Sequence, residues 1–390
     1  MSSATSADRA VPAFLFGNFV IGTGVLILPG MLNQLADGLA VSLPMAGYLI
    51  GVGALVMAFG APLVAALTSR IDRRVLLVTS LMIYSVGHAL CALAPDFNWL
   101  MPLRAVTVIS AAIFTPQVVA TIGMMVPIAK RASAVTTIFL GWSIASVAGM
   151  PIGNLIASYL SWRAGFGFVA VLALAAAVWV MRVTPKGLSV PPMSLQVWRN
   201  AFGNRSLILV LLVTLTTATA QFTLMAYLAP SLLAVTQSGP QMIAALMAFF
   251  GVCGVIGNTW VSRRIDRNGP DRSVSWTVAL MLGGLLAWAL ISVLPSATWP
   301  LLLLACALWG LGCFSTNSAQ QARLVAVAPA LASVSIALNT SGMYAGQAIG
   351  SSVGGAFIAG LGLPALPWVA AALMAVALEV SRRAAIHRAR

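Results

Sequence analysis

Apolar residues in this chain come in long unbroken runs, separated by short polar clusters. Twelve runs stand out, near positions 11–33, 44–67, 75–94, 99–126, 134–158, 164–181, 206–233, 241–262, 273–294, 300–325, 332–359 and 367–380. Most match or exceed the ~20 residues a helix needs to cross the ~30 Å hydrocarbon layer of a bilayer. Strands of a membrane barrel would alternate polar and apolar positions, and these runs do not. The pattern predicts twelve membrane-spanning helices. Residues 1–10 are polar, and no small-residue cleavage site follows a short apolar core. Residues 11–33 therefore read as a retained span rather than a signal peptide.

Composition agrees: 60% of the 390 residues are apolar and only 7% are charged. The net charge of +14 raises the question of nucleic acid. Its placement argues against that partner, because no basic stripe is interleaved with exposed aromatics. Of the 21 Lys and Arg, all but Arg104 and Arg163 fall on one side of the twelve-span arrangement. By the positive-inside rule that side is cytoplasmic, and both termini lie on it. The expected location is the cell inner membrane. The four cysteines fall within apolar runs, have no metal-type spacing and read as packing residues. Neither a metal nor a cofactor is expected.

The charged clusters hold an internal repeat. RIDR at 70–73 returns as RIDR at 264–267, 194 residues later. Gly141, Ala145, Gly149 and Gly153 recur every four residues in the fifth run. Gly342, Gly346, Gly350 and Gly354 do the same in the eleventh, offset by 201. The short segments "LPGML" (28–32) and "APSLL" (229–233) share that offset. Six spans per copy leave the two copies in the same orientation. The predicted fold is an all-α polytopic membrane protein of two parallel six-helix bundles, a plan used by transporters. Its parts are a cytoplasmic tail at 1–10, a bundle at 11–183, a cytoplasmic connector at 184–204, a bundle at 205–381 and a basic tail at 382–390.

"GAPLVAALTSRIDRR" (60–74) resembles the cytoplasmic signature between the second and third spans of the major facilitator superfamily. "GWSIASVAGMPIGNLIASYLSWR" (141–163) and "LNTSGMYAGQAIGSSVGG" (338–355) resemble the fifth and eleventh spans of its twelve-span efflux permeases. That branch of drug and sugar exporters resembles drug:proton antiporters. The resemblance implies alternating access by rocking of two bundles, commonly proton-driven. Three positions depart from the family pattern. The loop signature usually places an aspartate where Ser69 stands and a glycine where Asp72 stands. The fourth-span signature Arg-x-x-Gln-Gly keeps only Arg104. Relatives often carry an acid in the first span, where this chain has "IGTGVLIL" (21–28).

Candidate functional residues follow. Arg70, Asp72, Arg73, Arg74, Arg264, Asp266 and Arg267 have two readings: fixing topology at the cytoplasmic surface, or a gating latch. In the latch, Asp72 would pair with an arginine of the opposite half or meet a helix N-terminus, that of the eleventh span near Ala332 and Ser333 by family analogy, and Asp266 would meet the fifth near Ser133 by pseudo-symmetry. The two glycine ladders, with Pro151, are predicted to form a close-packed seam between the halves, since small residues let backbones approach. Arg104 either snorkels to the periplasmic surface or faces a cavity with Thr107, Ala111 and Thr115. Thr216, Thr219, Thr223 and Tyr227 share one face of the seventh span, and Asn18 pairs with Thr219 in the repeat. These polar residues are candidates for substrate contact or for interhelical hydrogen bonding. His88 lies mid-span and is the proton-carrier candidate.

None of the seven acids lies mid-run, which points to a neutral or anionic substrate and to weak or absent proton coupling. The predicted function is secondary active or facilitative export of a small organic molecule by a monomer in the lipid bilayer, with a proton left open as coupling ion. Proton-coupled uptake on the same fold is the alternative. A channel, a transport-dead receptor and an intramembrane enzyme are the readings from other classes. The enzyme reading lacks an intramembrane aspartate pair, an HExxH motif and a nucleophile with a base.

Overall fold

The computed structural model describes residues 3–68, 70–189, 195–294, 296 and 298–389, and among these it contains helices and no strand. The helices are α1 (Ser3–Gly30), α2 (Leu32–Gly38), α3 (Leu43–Leu67), α4 (Arg73–Leu93), α5 (Phe97–Met125), α6 (Ile128–Ile144), α7 (Met150–Tyr159) and α8 (Trp162–Val183). They continue as α9 (Leu195–Gly203), α10 (Arg205–Met225), α11 (Leu228–Thr236), α12 (Pro240–Asn268), α13 (Pro270–Leu290), α14 (Thr298–Val327), α15 (Ala332–Leu361) and α16 (Leu366–Ala389). Among the described residues, eleven helical segments are long and apolar enough to cross a bilayer. The predicted eleventh span is α15, a continuous 30-residue helix. Its Ser, Thr, Asn, Gln and Gly residues dilute the hydropathy that marks the others.

The chain divides into two compact units, residues 1–39 with 59–193, and residues 40–58 with 194–390. In the N-terminal unit α1 packs on α5, α6, α7 and α8, while α4 packs on α5 and α8. In the C-terminal unit α10 packs on α14, α15 and α16, while α13 packs on α14 and α16. The first, third, fourth, fifth and sixth spans of each copy thus choose equivalent neighbours. The second span differs. Residues 40–58, expected in the N-terminal bundle, group with the C-terminal helices. Gly47 lies under the Tyr227 ring, and a Cβ at Gly51 would stand 2.8 Å from Ser351 Oγ.

Helix association in lipid has no hydrophobic drive of its own and depends on close backbone contact. The glycine ladders supply that contact inside each unit. Gly141, Gly149 and Gly153 face Leu15 to Phe19, Thr23 and Ile27 of α1, and Ala145 meets Gly22. Gly346, Gly350 and Gly354 face Leu215, Thr219 and Thr223 of α10. The predicted seam between halves is therefore corrected for these faces: each ladder meets a helix of its own half. The fifth span also carries a π-turn over Ala145–Gly149. Pro151 has no N–H for the Val147 carbonyl and its ring crowds that carbonyl, and one widened turn resolves both problems.

The connector is not uniformly irregular. In α9, Ala201 is fully buried against Leu207, Val210, Leu324 and Val334, with Trp198 packed beside it. A Cβ at Gly346 would stand 2.5 Å from the Leu215 carbonyl oxygen and 2.6 Å from Ala218 Cβ, whereas nothing lies within 4 Å of one at Gly360. Gly346→Leu is expected to destabilise the chain by about 1–3 kcal/mol through overpacking, lowering its unfolding midpoint in detergent. Gly360→Ala is expected to match or exceed wild type. Equal midpoints for wild type and Gly346→Leu would refute the tight α10–α15 approach.

Candidate functional site

Polar groups inside the N-terminal unit converge on α1. Gly24 has no side chain, and a Cβ there would fall 2.9 Å from Tyr84 Cζ and 3.0 Å from His88 Nε2. The space that glycine leaves holds a buried cluster. Arg104, 4% exposed, donates from Nη2 to the Gly24 carbonyl at 2.8 Å and lies 3.1 Å from His88 Nε2 through Nη1. A guanidinium has donors only, so Nε2 must accept. His88 Nδ1 then carries the hydrogen and donates to the Tyr84 carbonyl at 2.9 Å. Tyr84 stands edge-on to the imidazole with ring centroids 4.2 Å apart and donates to the Ile21 carbonyl at 3.2 Å.

This geometry resolves the two readings of Arg104. The side chain neither snorkels to the surface nor stands open in a cavity; it ties α1, α4 and α5 together. His88 is fully buried beside it, against Phe166 of α8. In this conformation the imidazole is neutral, because a proton on Nε2 would displace Arg104. Thr107 is also buried and donates to the Leu103 carbonyl at 2.6 Å. Thr115 donates to Asn18 Oδ1 at 2.7 Å, and Asn18 Nδ2 donates to the Ile138 carbonyl at 3.2 Å. Asn18 thus fastens α1 to α5 and α6.

The seventh span presents two polar faces. Thr216, Thr219 and Thr223 bond back to carbonyls of α10 itself, at 2.8 Å, 2.8 Å and 2.9 Å. Tyr227 is fully buried, with its hydroxyl on the Ser351 carbonyl at 2.9 Å. The other face, which the sequence reading passed over, makes further interhelical bonds. Thr214 donates to Asn339 Oδ1 at 2.5 Å, and Gln221 Nε2 lies 2.8 Å from Cys313 Sγ. Gln320 Nε2 donates to the Val210 carbonyl at 2.6 Å and to Thr214 Oγ1 at 3.1 Å.

The two RIDR copies fold differently. In the first, the tetrapeptide separates α3 from α4, and Asp72 caps α4 by accepting from Val75 N at 3.2 Å. Its other oxygen accepts from Gly187 N at 2.5 Å, and Arg73 N donates to the Leu188 carbonyl at 2.9 Å. The loop is thereby tied to the start of the connector. The buried Arg73 side chain donates to Gln117 Oε1 at 2.5 Å, while Arg70 is exposed and Arg74 half-buried. In the second copy, residues 264–267 remain helical inside α12, which runs on to Asn268. Gly269, with φ +77°, and Pro270 place the break there. Arg264 stacks on Trp260 at 5.1 Å and Arg267 is exposed. The side chains of Asp266, Ser133, Ala332 and Ser333, which the latch reading involves, lie outside the described residues.

The sequence reading also missed a buried charge in the C-terminal unit. Arg323 is fully buried and pairs with Asp271 at 2.6 Å. It also donates to the Ser381 hydroxyl at 3.2 Å and carbonyl at 3.1 Å, joining α13, α14 and α16. A carboxylate 52 residues away in sequence gives no spacing signal for such a pair.

A bundle of helices that crosses the membrane repeatedly, built twice, with polar groups held between its central helices, is the framework of a membrane carrier. Residues 14–340 match the Major Facilitator Superfamily, and the chain belongs to that family: it is a multi-pass membrane protein and a secondary transporter. It is 31% identical over 369 residues to the inner membrane transport protein YdhP of Escherichia coli strain K12, covering 94% of this chain and 93% of that one. It is 27% identical over 348 residues to a probable sugar efflux transporter of Pasteurella multocida strain Pm70, covering 88% and 85%. The crystal structure of the nucleoside transporter NupG superposes with a TM-score of 0.78 at 10% identity, covering 96% of this chain and 99% of that one.

Two outcomes follow from the N-terminal unit. His88→Gln keeps an acceptor for Arg104, whereas His88→Phe strands a buried donor at a cost of about 1–3 kcal/mol. The Gln variant is expected to unfold near the wild-type midpoint and the Phe variant well below it. Equal midpoints for the two would remove the Arg104–His88 bond from the structure's supports. The second outcome concerns Asp72. Partial burial pushes its carboxyl up, but the N–H groups of Val75, Gly187, Arg74 and Leu188 together hold it below the usual carboxylate value. A depressed carboxyl contributes stability above its unfolded pKa and loses it only as pH falls through the folded one. The contribution is therefore constant from about pH 5 to 8. In hydrogen exchange, Asp72→Asn is expected to accelerate the Gly187 amide by a factor that does not change over this range. A factor that varied with pH would show Asp72 titrating there.

Proposed function

We propose that this carrier exports a small neutral or anionic organic molecule by alternating access. The observation that carries the substrate class is Arg104: a buried cation in the N-terminal unit with no carboxylate among its described partners. A ligand cation ~10 Å away would be disfavoured by about 1.7 kcal/mol at an effective dielectric of ~20, and an anion favoured by as much. The seven acids all lie in loops or near span ends, so none offers an organic cation a counter-charge mid-membrane. Export is supported by the likeness to a sugar efflux transporter. The asymmetry of Lys and Arg supports a cytoplasmic location for both termini. A single chain holds both six-span copies, which supports a monomer.

Transport is not driven by a proton carried within the spans. His88 is the candidate for that role, and its Nε2 lone pair is engaged by Arg104. Asp72, ahead of α4, and Asp266, in the last turns of α12, keep the gating role proposed for them at the cytoplasmic surface. The test uses the purified full chain in liposomes of known orientation, loaded with glucose, chloramphenicol, benzoate or tetraphenylphosphonium. Accelerated exchange against internal substrate is expected for a neutral or anionic probe and not for the phosphonium cation. Phosphonium exchange would overturn the substrate class, and flux without acceleration would mark a channel. With membrane potential clamped, imposed pH gradients are expected to drive no accumulation. Accumulation that reverses with the gradient would overturn the uncoupled reading.

A further inference from the structure

We infer that the meeting point of α10, α14 and α15 in the C-terminal unit is a binding site for an uncharged ligand bearing hydroxyl or amide groups. Asn317, Thr217 and Gln320 are its contacting residues. The inference rests on the carrier reading above and narrows its substrate class. The site begins as a directed chain of hydrogen bonds. Gln320 donates to Thr214 at 3.1 Å, Thr214 to Asn339 at 2.5 Å, and Asn339 Nδ2 to Asn317 Oδ1 at 3.3 Å. Each bond fixes the sense of the next, since an amide oxygen can only accept. Asn317, half-buried at the end of the chain, is left with its NH2 group to offer.

Two buried groups beside this chain make no hydrogen bond among the described residues: Thr217 Oγ1 and Gln320 Oε1. Thr217 is 4% exposed and Gln320 2%. Thr217 lies between Thr214 and Gln221 on one helical face. Both neighbours bond across to α14 or α15, so Thr217 faces the same way. Its hydroxyl is unlike those of Thr216, Thr219 and Thr223, which all bond back to their own helix. A lone buried hydroxyl and a lone buried amide oxygen each cost ~1–3 kcal/mol unless something meets them. Thr214 lies about 14 Å along α10 from Arg205, and Asn317 about 15 Å from the end of α14 at Val327.

The free groups define the ligand. Asn317 and Thr217 donate to oxygens, and Gln320 Oε1 accepts from a hydroxyl or N–H. No charged side chain belongs to this set, so it holds a neutral molecule by hydrogen bonds alone. Arg323, seven residues beyond Thr316 on α14, is already engaged with Asp271 and Ser381.

The test compares wild type, Thr217→Val, Thr217→Ser and Asn317→Leu, purified as full chains and reconstituted for exchange. The probes are glucose, chloramphenicol, benzoate and tetraphenylphosphonium. Wild type is expected to exchange glucose or chloramphenicol. Thr217→Val should raise the half-saturating concentration roughly three- to tenfold, as for one lost hydrogen bond, with the maximal rate within about twofold of wild type. Thr217→Ser, which keeps the hydroxyl, should restore it. Asn317→Leu should be weaker still, and if that variant fails to fold, Thr217→Val carries the test because it removes no bond made in the free protein. Unchanged half-saturation in both Thr217→Val and Asn317→Leu would overturn the site while leaving the carrier reading in place. Exchange of benzoate alone would do the same. Exchange of the phosphonium alone, or of no probe, would take down both.

Discussion

Close backbone approach at glycines is the constraint on which the rest of this structure depends. Between helices in lipid, oil-like side chains gain nothing by leaving an oil-like solvent, so association must come from short-range packing and from polar bonds. Both require the helix axes to come near each other. On α15, Gly346, Gly350 and Gly354 bring backbone carbonyls of α10 within the distance a side chain would occupy. On α1, Gly24 makes room for Tyr84 and His88, and its carbonyl becomes an acceptor for Arg104. In this chain a backbone oxygen of the first span and an imidazole nitrogen of α4 meet the arginine.

The same constraint sorts the threonines of α10. A face that abuts a glycine ladder has no room for a second polar partner, so Thr219 and Thr223 fold their hydroxyls back onto their own helix. The other face meets longer side chains: Thr214 reaches Asn339 of α15, Gln221 reaches Cys313 of α14, and Gln320 of α14 reaches back to Val210. Packing distance, rather than polarity, decides which hydroxyls are structural and which stay available.

Much of the fold was legible because it is written in long periods. The apolar runs gave the spans, and the 201-residue offset of the glycine ladders gave the two copies. What failed to show were pairings between distant positions. Thr214, Thr216, Thr217, Thr219 and Thr223 fit two faces of a 3.6-residue helix equally well, and only the neighbours choose between them. His88 and Arg104 sit on different helices, as do Asp271 and Arg323, and nothing in their spacing announces a bond. RIDR occurs twice as letters but not as structure. Gly269 and Pro270 move the second break past it, so Asp72 caps a helix while residue 266 continues one.

The two halves have therefore kept their packing and let their charges diverge. In the N-terminal unit the buried cation Arg104 is partnered by neutral groups, and its charge persists. In the C-terminal unit the buried cation Arg323 meets Asp271, and the pair is close to neutral at a distance. Burying a charge without a counter-ion is costly, and a fold that needed only rigidity would have no reason to treat the halves differently. An unneutralised charge held in low dielectric acts over several ångströms beyond its contacts. On the function proposed above, such a charge would bias what enters the membrane interior without touching it, while the neutral hydrogen-bonding groups of α10, α14 and α15 would distinguish one uncharged molecule from another.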